Sequence, residues 1–201
     1  MIIYDFFSGT GSATKPFEDA GHTVIRVELD EYFEAHERNV LTLDGGQLIK
    51  KYGKPDFIWA SPPCTAFSVA SIGKHWNKDK TPKTQDAHMG WLLVQKTIDL
   101  IESIQPRYWV IENPRGMLRT LLNYGTRHTV SYCQYGDSRQ KPTDLWTNMT
   151  NWKPRPICKP KSECHESAPR GARTGTQGIK NAKLRSMIPY ELGAEIMKAI
   201  G

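Results

Sequence analysis

The chain has 201 residues, of which 38% are hydrophobic and 24% are charged. This length suits one sizeable α/β core, and the composition excludes a wholly disordered chain. No apolar run approaches the roughly 20 residues of a membrane helix, and the first residues lack the basic and apolar stretches of a secretion signal. We therefore expect a cytoplasmic protein that makes no membrane contact.

The positive charge of the chain is concentrated in one segment. The formal net charge is +6, and residues 137–185 hold all of the positive excess. Such asymmetry in a turn-rich segment favours a partner with a phosphate backbone, so we expect a nucleic acid. Lysines that only keep a loop solvated would give the same pattern, and this alternative stays open.

The first part of the chain has the pattern of a βαβ unit. Residues 1–7 predict a buried strand, which runs into a turn of small residues at positions 8–12. A helix is predicted over residues 13–20, and a second strand over residues 22–29 brings Glu28 to its end. An acidic residue about 20 positions after a glycine turn is typical of nucleotide-type folds.

The rest of the chain continues this alternation. It predicts helices over residues 31–39, 87–104 and 190–200, and strands over residues 55–60, 108–112, 128–133 and 145–148. Between residues 151 and 185 no periodic pattern emerges. Alternating strands and helices predict an α/β fold with a mostly parallel, doubly wound sheet that binds ligands at the carboxyl ends of its strands.

The glycine turn and Glu28 suggest a cofactor that contains adenosine. Gly9 and Gly11 allow a ligand to approach the backbone closely, and Glu28 can accept hydrogen bonds from ribose hydroxyls. The full dinucleotide spacing fails, because Thr14 stands where a third glycine is required. This favours S-adenosylmethionine over a nicotinamide cofactor, although such a turn can also be purely structural.

Two further side chains are candidates for a role in catalysis. Cys64 follows Pro62 and Pro63, which restrict the backbone and fix the direction of the thiol. We expect free thiols in a cytoplasmic protein, so Cys64 is either a nucleophile or a small buried apolar residue. Glu112 ends a predicted strand. A buried Glu112 would have a raised pKa and could hydrogen-bond a ring nitrogen, whereas an exposed one would be an ordinary loop carboxylate.

Three segments carry a resemblance to a known family. Residues 5–11 (DFFSGTG) are similar to a cofactor motif, residues 61–68 (SPPCTAFS) to a Pro-Cys nucleophile loop, and residues 112–114 (ENP) to a Glu-Asn-Val motif. In order and spacing they resemble the DNA cytosine-5 methyltransferase family, particularly its compact, phage-type members. The resemblance implies a Rossmann-like S-adenosylmethionine-dependent methyltransferase fold and, by analogy, a place in phage or restriction-modification biology.

The resemblance also implies roles for individual residues. Cys64 would add to C6 of cytosine in DNA, and Glu112, followed by Asn113, would contact the ring at N3; these three are the expected catalytic residues. Contacts at N3 stabilise the negative charge that the thiolate pushes into the ring. Glu28 would bind the ribose of S-adenosylmethionine, the implied cofactor. The residues expected around this cofactor are Phe7, Gly9, Gly11, Glu28, Leu29, Asp44 and Pro62.

The later part of the chain resembles the family less closely. We expect a catalytic and cofactor-binding domain over residues 1–148, a very small, irregular and basic target-recognition region over residues 149–184, and a C-terminal segment over residues 185–201 that returns to the catalytic domain. Residues 75–80 are expected to close over an extruded base, or to be a solvated loop. The residues expected to contact DNA are Arg139, Lys141, Lys153, Arg155, Arg170 and Arg173.

Several alternatives stay open. Residues 61–63 also resemble the Ser-Pro-Pro motif of DNA amino-methyltransferases, and a catalytically silent DNA-binding protein of the same fold would keep the same pattern. Cys158, Cys164 and His165 offer only three zinc ligands, and we expect no metal. We expect a monomer, and a partner chain that supplies target recognition is a further alternative.

Overall fold

The computed structural model describes residues 1–159, 162–166, 179 and 181–201. No helix within these ranges is long and apolar enough to cross a membrane. In chain order, the elements are β1 (Ile2–Phe6), α1 (Lys15–Asp19), β2 (Thr23–Val27), α2 (Gly45–Tyr52), β3 (Phe57–Ala60), α3 (Ile72–His75), α4 (Gln85–Ile104), β4 (Tyr108–Pro114), α5 (Leu118–Leu121), β5 (Thr126–Ser131), β6 (Pro142–Thr147), α6 (Ala182–Ser186) and α7 (Tyr190–Ile200). Two 3₁₀ turns lie at Val40–Thr42 and Tyr132–Tyr135.

The strands form one six-stranded sheet in the order β2-β1-β3-β4-β6-β5. The pairs β1–β2, β1–β3 and β3–β4 are parallel, whereas β6 is antiparallel to both β4 and β5. The predicted mostly parallel sheet is therefore confirmed, with β6 as the strand that runs against the others. Because β1, β2, β3 and β4 are parallel, their carboxyl ends share one edge of the sheet.

The sheet is covered on both faces. Successive side chains of a strand point to opposite faces, so Ile3 joins one hydrophobic cluster and Tyr4 the other. On the Tyr4 side, Leu48 of α2 and several residues of α4 complete the core. On the Ile3 side, Phe17 of α1 and Leu192 of α7 do so. Burial of each such large apolar side chain contributes about 1.5–3 kcal/mol, which holds the helices on the sheet.

The C-terminal helix packs closely against the start of the chain. A Cβ on Gly193 of α7 would lie 2.4 Å from the carbonyl oxygen of Ala13, so only glycine allows this approach. The amide of Ile188 donates to Ser12 Oγ at 2.9 Å. These contacts bring the C-terminal segment to the glycine turn.

One predicted helix is absent. Residues 31–39 form turns, because the Asp30 carboxylate accepts a hydrogen bond from the Tyr32 amide at 3.0 Å and starts a tight turn. The amide of His36 then donates to the carbonyl of Arg26 at 2.9 Å, which folds the segment back along β2. The sequence pattern also does not predict α2. The remaining predicted elements are confirmed within a few residues of their expected ends.

Strand β1 contains a buried carboxyl group. Asp5 is 1% exposed, and its Oδ2 accepts a hydrogen bond from Thr14 Oγ1 at 2.6 Å. Burial raises the pKa of Asp5 from 3.8 to about 7, although the Thr14 bond and Arg26 oppose this rise. A carboxyl group with a raised pKa in the folded state keeps its proton there while the unfolded chain loses it.

Between about pH 4 and pH 7, the stability of the folded chain should therefore fall as the pH rises. Asp5→Asn removes this titration but keeps an oxygen for Thr14. Its free energy of unfolding should rise relative to the parent, on the order of 1–4 kcal/mol between pH 4 and pH 7, as measured by urea denaturation. Asp99→Asn, on the exposed side of α4, is the control. Parallel pH curves for the parent and Asp5→Asn would contradict the assignment.

Candidate active site

A cavity of about 480 Å³ opens at the carboxyl ends of β1, β2, β3 and β4. Its size lies in the range of small-molecule sites, and its position is where ligands bind in doubly wound folds. Many of the predicted site residues line it. They are Phe7, Gly9, Glu28, Leu29, Pro62, Cys64, Glu112 and Lys141.

The turn after β1 has an unusual backbone. Phe7, Gly9 and Gly11 have φ angles of +61°, +48° and +69°, a region that non-glycine residues rarely adopt. A Cβ on Gly9 would meet no atom within 4 Å, whereas one on Gly11 would lie 2.4 Å from Arg26 Nη2. Gly9 therefore leaves open space beside the cavity, while Gly11 is needed for packing against Arg26 and does not line the cavity.

Glu28 is fixed at the rim of the cavity. Its Oε2 accepts a hydrogen bond from the Gly9 amide at 2.7 Å, and its Oε1 accepts one from the Asp30 amide at 2.9 Å. The neighbouring Leu29 is 67% exposed, a large apolar surface next to a carboxylate. This edge of the cavity offers one flat apolar contact and one anionic acceptor.

The loop that carries Cys64 is anchored to β4. Asn113, which is fully buried, donates from Nδ2 to the carbonyl of Pro62 at 2.9 Å. The amides of Phe67 and Ser68 donate to the carbonyl of Cys64, which closes the turn. Asn113 thus does not line the cavity; it positions the loop, and this corrects the expectation that it acts directly.

Cys64 and Glu112 influence each other's protonation. Cys64 is exposed toward the cavity, but desolvation by surrounding protein atoms raises the pKa of its thiol; Glu112 raises it further, whereas Lys141 opposes this rise. Glu112 is 6% exposed, and burial raises its pKa against the opposing charge of Lys141. Of the two alternatives that the sequence leaves open for Glu112, the structure therefore shows the buried one.

Tyr132 and Lys141 complete the surroundings of Glu112. The fully buried Tyr132 hydroxyl donates to Glu112 Oε1 at 3.1 Å. Lys141 donates from Nζ to the carbonyl of Arg185 at 2.9 Å and lies 4.7 Å from the centre of the Tyr132 ring. Burial lowers the pKa of Lys141, and the charges of Glu112 and Cys64 oppose this. The cavity is therefore lined by a thiol, a carboxyl group whose pKa is raised, and a half-buried lysine.

Asp44 does not reach this cavity. Its carboxylate caps the N-terminus of α2 by accepting a hydrogen bond from the Gln47 amide at 2.9 Å, a common role for Asp before a helix. Asn39 and Val40 line the cavity instead. The predicted helix over residues 31–39 hides these two residues, because it places them at a helix end rather than in a loop at the cavity.

Two residues expected to contact DNA, Arg139 and Lys141, make their contacts inside the protein. Arg139 is 5% exposed; it pairs with Asp137 and donates to the carbonyls of Leu184, Arg185 and Met187. Because these bonds use its guanidinium, its predicted contact with DNA is wrong. Lys141 faces the cavity rather than the outer surface.

Arg155 also forms ion pairs and a hydrogen bond within the protein. It forms ion pairs with Glu191 and Glu195 of α7, at 2.7 and 2.8 Å, and donates to the carbonyl of Gln134 at 2.6 Å. These bonds engage its Nε and Nη1, but the side chain is 38% exposed, so its contact with a phosphate stays a prediction. Lys153 is exposed, whereas Arg170 and Arg173 lie outside the described residues.

The segment after the Cys64 loop contains two buried residues that pack into the protein core. Trp76 is buried and donates from Nε1 to the carbonyl of Ala66 at 2.7 Å, while the buried His75 lies 2.6 Å from Thr84 Oγ1 through Nδ1. Both residues hold the segment in place against the core. Exposed basic residues flank the loop: Lys74, Lys78, Lys80, Lys83 and Arg115.

Comparisons with known proteins agree with this geometry. A family model described as C-5 cytosine-specific DNA methylase matches residues 1–131. A protein of Frog virus 3 (isolate Goorha), described as a "Probable DNA (cytosine-5)-methyltransferase", is 31% identical over 170 residues, which are 82% of this chain and 78% of the viral protein. The type II methyltransferase M.AplI of Arthrospira platensis is 32% identical over 125 residues, 59% of this chain but only 32% of that enzyme.

A solved structure extends the comparison to the fold. It belongs to a prophage-encoded E. coli protein described as a DNA modification methyltransferase; the TM-score is 0.52 at 18% identity, and the match covers 73% of this chain and 46% of that chain. This likeness supports the Rossmann-like methyltransferase fold. Since the family model covers more than half of the chain, and the viral relative matches most of both chains, this chain belongs to the C-5 cytosine-specific DNA methylase family.

Proposed function

We propose that this protein is a DNA (cytosine-5-)-methyltransferase that moves a methyl group from S-adenosylmethionine to C5 of cytosine through a covalent Cys64 adduct at C6. The observation that carries the proposal is one cavity that receives Cys64, Glu112 and the glycine turn together. The family of the chain supports the reaction, and the arrangement of the side chains supports the mechanism.

The cavity fits S-adenosylmethionine. Open space lies beside Gly9, Glu28 offers a fixed anionic acceptor for ribose hydroxyls, and Leu29 and Val40 offer apolar contacts for an adenine ring. When bound there, the cofactor supplies an electrophilic methyl group. Pro62 and Phe7 line the same cavity and would restrict where the cofactor lies.

Cys64 and Glu112 would activate the base together. The Cys64 thiolate adds to C6, a carbon–sulfur bond forms, and an electron pair moves into the ring toward N3 and C5. Glu112 in its acid form donates to N3 and stabilises that charge. After C5 carries the methyl group, its proton leaves to water acting as a base, and the returning electron pair expels the Cys64 thiolate.

The burial of Glu112 links the two proton positions. An ionised Glu112 opposes the thiolate, because its negative charge raises the pKa of Cys64. Burial favours the neutral acid form of Glu112, which removes this repulsion, and Lys141 favours the thiolate through its positive charge. The same protonation state therefore suits both the nucleophile and the contact to N3.

DNA contact is best supplied by exposed basic residues around the Cys64 loop. Lys74 lies on α3, directly after this loop, and Arg115 follows Pro114 at the cavity edge. The amide of Met117 donates to the carbonyl of Phe67 at 2.7 Å, which holds the Arg115 segment against the loop. None of the salt bridges among the described residues involves these cations. Residues 149–184 would add target recognition.

The reaction can be identified from its product. Purified protein is incubated with DNA and methyl-labelled S-adenosylmethionine, and the nucleosides are separated after digestion; the expected labelled product is 5-methylcytosine. A label on an amino group would support an amino-methyltransferase instead. Bound DNA without any label would support the silent DNA-binding protein.

The covalent step has a separate readout in the same experiment. DNA that contains 5-fluorocytosine should trap the parent protein, because fluorine does not leave C5 as a proton does. Cys64→Ser should form no trapped adduct on denaturing gels, and matched DNA with ordinary cytosine is the control. An adduct with Cys64→Ser would place the nucleophile elsewhere.

Glu28→Ala should weaken binding of S-adenosylhomocysteine. The loss of charge-assisted hydrogen bonds, at about 1.5–3 kcal/mol each, corresponds to roughly a 10- to 100-fold rise in Kd by calorimetry. Glu28→Gln keeps an oxygen for the Gly9 amide and should lose less affinity. Glu31→Ala, at an exposed neighbouring position, is the control. An unchanged Kd for Glu28→Ala with an intact fold would move the cofactor to another site.

Replacement of Lys74 and Arg115 by Ala should weaken DNA binding and reduce its salt dependence. Each phosphate contact contributes about −0.9 to the slope of log affinity against log salt on duplex DNA, so the double variant should have a slope less steep by up to about 1.8. Lys50→Ala, on the exposed side of α2, should leave the slope unchanged. Equal slopes for all three proteins would exclude this surface.

A further inference from the structure

A cluster of metal-binding side chains lies outside the cavity. The ligand atoms of Cys133, Cys158, Cys164 and His165 all lie within 4.8 Å of one another. Cys133 belongs to the 3₁₀ turn after β5, whereas the other three belong to the basic segment that the sequence marks as irregular. Sequence spacing reveals only the last three, because Cys133 lies 31 positions before Cys164.

The distances match a tetrahedral ion. Cys158 Sγ lies 3.1 Å from Cys164 Sγ and 3.3 Å from His165 Nδ1, and Cys164 Sγ lies 3.6 Å from Cys133 Sγ and 3.7 Å from His165 Nδ1. Zn–S bonds of about 2.3 Å and a Zn–N bond of about 2.0–2.1 Å place tetrahedral ligand atoms roughly 3.5–3.8 Å apart. An ion at the centre needs only small shifts of these side chains.

We propose that these four side chains bind one structural zinc ion. Three thiolates and one imidazole form a Cys₃His set, which is typical of structural zinc and leaves no open position for a substrate. A disulfide between Cys158 and Cys164 would account for only two of the four groups and would leave Cys133 and His165 without a role. The proposal departs from the expectation that the chain holds no metal.

Neighbouring residues support the ligands. Gln134 donates from Nε2 toward Cys164 Sγ at 3.4 Å and toward Cys133 Sγ at 3.9 Å, contacts that favour thiolates. The amide of Cys158 donates to Ser131 Oγ at 3.2 Å, and Gln140 Nε2 donates to the carbonyl of Cys158 at 3.2 Å. Such surrounding hydrogen bonds orient the ligands of metal sites.

The ion would join the basic segment to the active site. Cys133 follows Tyr132, whose hydroxyl contacts Glu112, and Ser131 and Gln134 of the same stretch contact Cys158 and Cys164. Zinc would therefore hold residues 158–159 and 162–165 against the turn that supports Glu112. This role is structural, and it does not depend on the proposed methyl transfer.

The test compares substitutions of the three cysteines in the cluster with a substitution of Cys64, which lies outside it. The parent protein is purified under reducing conditions with zinc in the medium, and its metal content is measured by mass spectrometry without DNA or cofactor. We expect one zinc per chain for the parent and for Cys64→Ser, the control at the cysteine outside the cluster. Cys133→Ser, Cys158→Ser and Cys164→Ser should each lose most of the metal.

Folding and metal binding are measured separately. Because Cys133 and Cys158 are buried, Cys164→Ser and His165→Ala, at more exposed positions, serve as the variants most able to fold, with circular dichroism as the check. Cobalt added to the metal-free parent should give the visible absorption of a tetrahedral site and a thiolate charge-transfer band, and Cys164→Ser should weaken this band. Gln134→Ala should weaken zinc affinity about 10-fold.

Three results would overturn the proposal. They are a folded parent protein that takes up no zinc or cobalt, a Cys64→Ser variant that loses the metal as the cluster variants do, and a Cys158–Cys164 disulfide found by non-reducing peptide mapping of protein that was purified under reducing conditions. None of them bears on methyl transfer, so the two proposals can fail independently.

Discussion

The parallel pairing of β3 with β4 is the constraint on which the rest of the site depends. Its register sets Ala60 beside Ile111, so the chain leaves both strands at one edge of the sheet. The hydrogen bond that Asn113 donates to the carbonyl of Pro62 then joins the end of β4 to the loop that follows β3. Loss of such a buried hydrogen bond leaves an unsatisfied polar group, which costs about 1–3 kcal/mol of folding free energy. Cys64 and Glu112 are thus brought together by the sheet and by one buried amide.

Burial gives these two residues different environments, which suit the roles proposed for them. Glu112 belongs to the strand and is buried; this burial raises its pKa and favours the uncharged acid, although Lys141 and Tyr132 oppose the rise. Cys64 stands on the loop and keeps access to the cavity. A nucleophile must reach its substrate, whereas a group that stabilises charge works best in a low dielectric. The end of one strand and the loop after its neighbour supply these two environments.

The sequence predicts those features whose residues are neighbours in the chain. The glycine turn, the Cys64 loop and Glu112 each follow a strand within a few positions, and the pattern of apolar residues locates those strands. The sequence does not reveal partners that are distant in the chain: Arg155 pairs with Glu191 and Glu195 of α7. The Cys133 thiol is missed for the same reason. Local periodicity carries no information about such long-range pairs.

Asn39 illustrates a different kind of failure. Helical spacing over residues 31–39 is present in the sequence, but the Asp30 carboxylate and the Arg26 carbonyl offer the backbone other hydrogen bonds. These local bonds outcompete a short helix, since a helix of this length is marginal without tertiary packing. The loop that results carries Asn39 and Val40 to the cavity, and Asp44 is left to cap α2.

The basic segment shows why net charge and available charge differ. Residues 153–159 and 162–166 are too few to bury a core of their own, so they are held from outside: Arg155 pairs with α7, and the buried Trp152 donates to Glu195 Oε1 at 3.1 Å. Each such pair uses a cation, or occupies an acid, inside the molecule. Affinity for a phosphate backbone should therefore follow the cations that stay exposed, and around Cys64 these lie outside the basic segment.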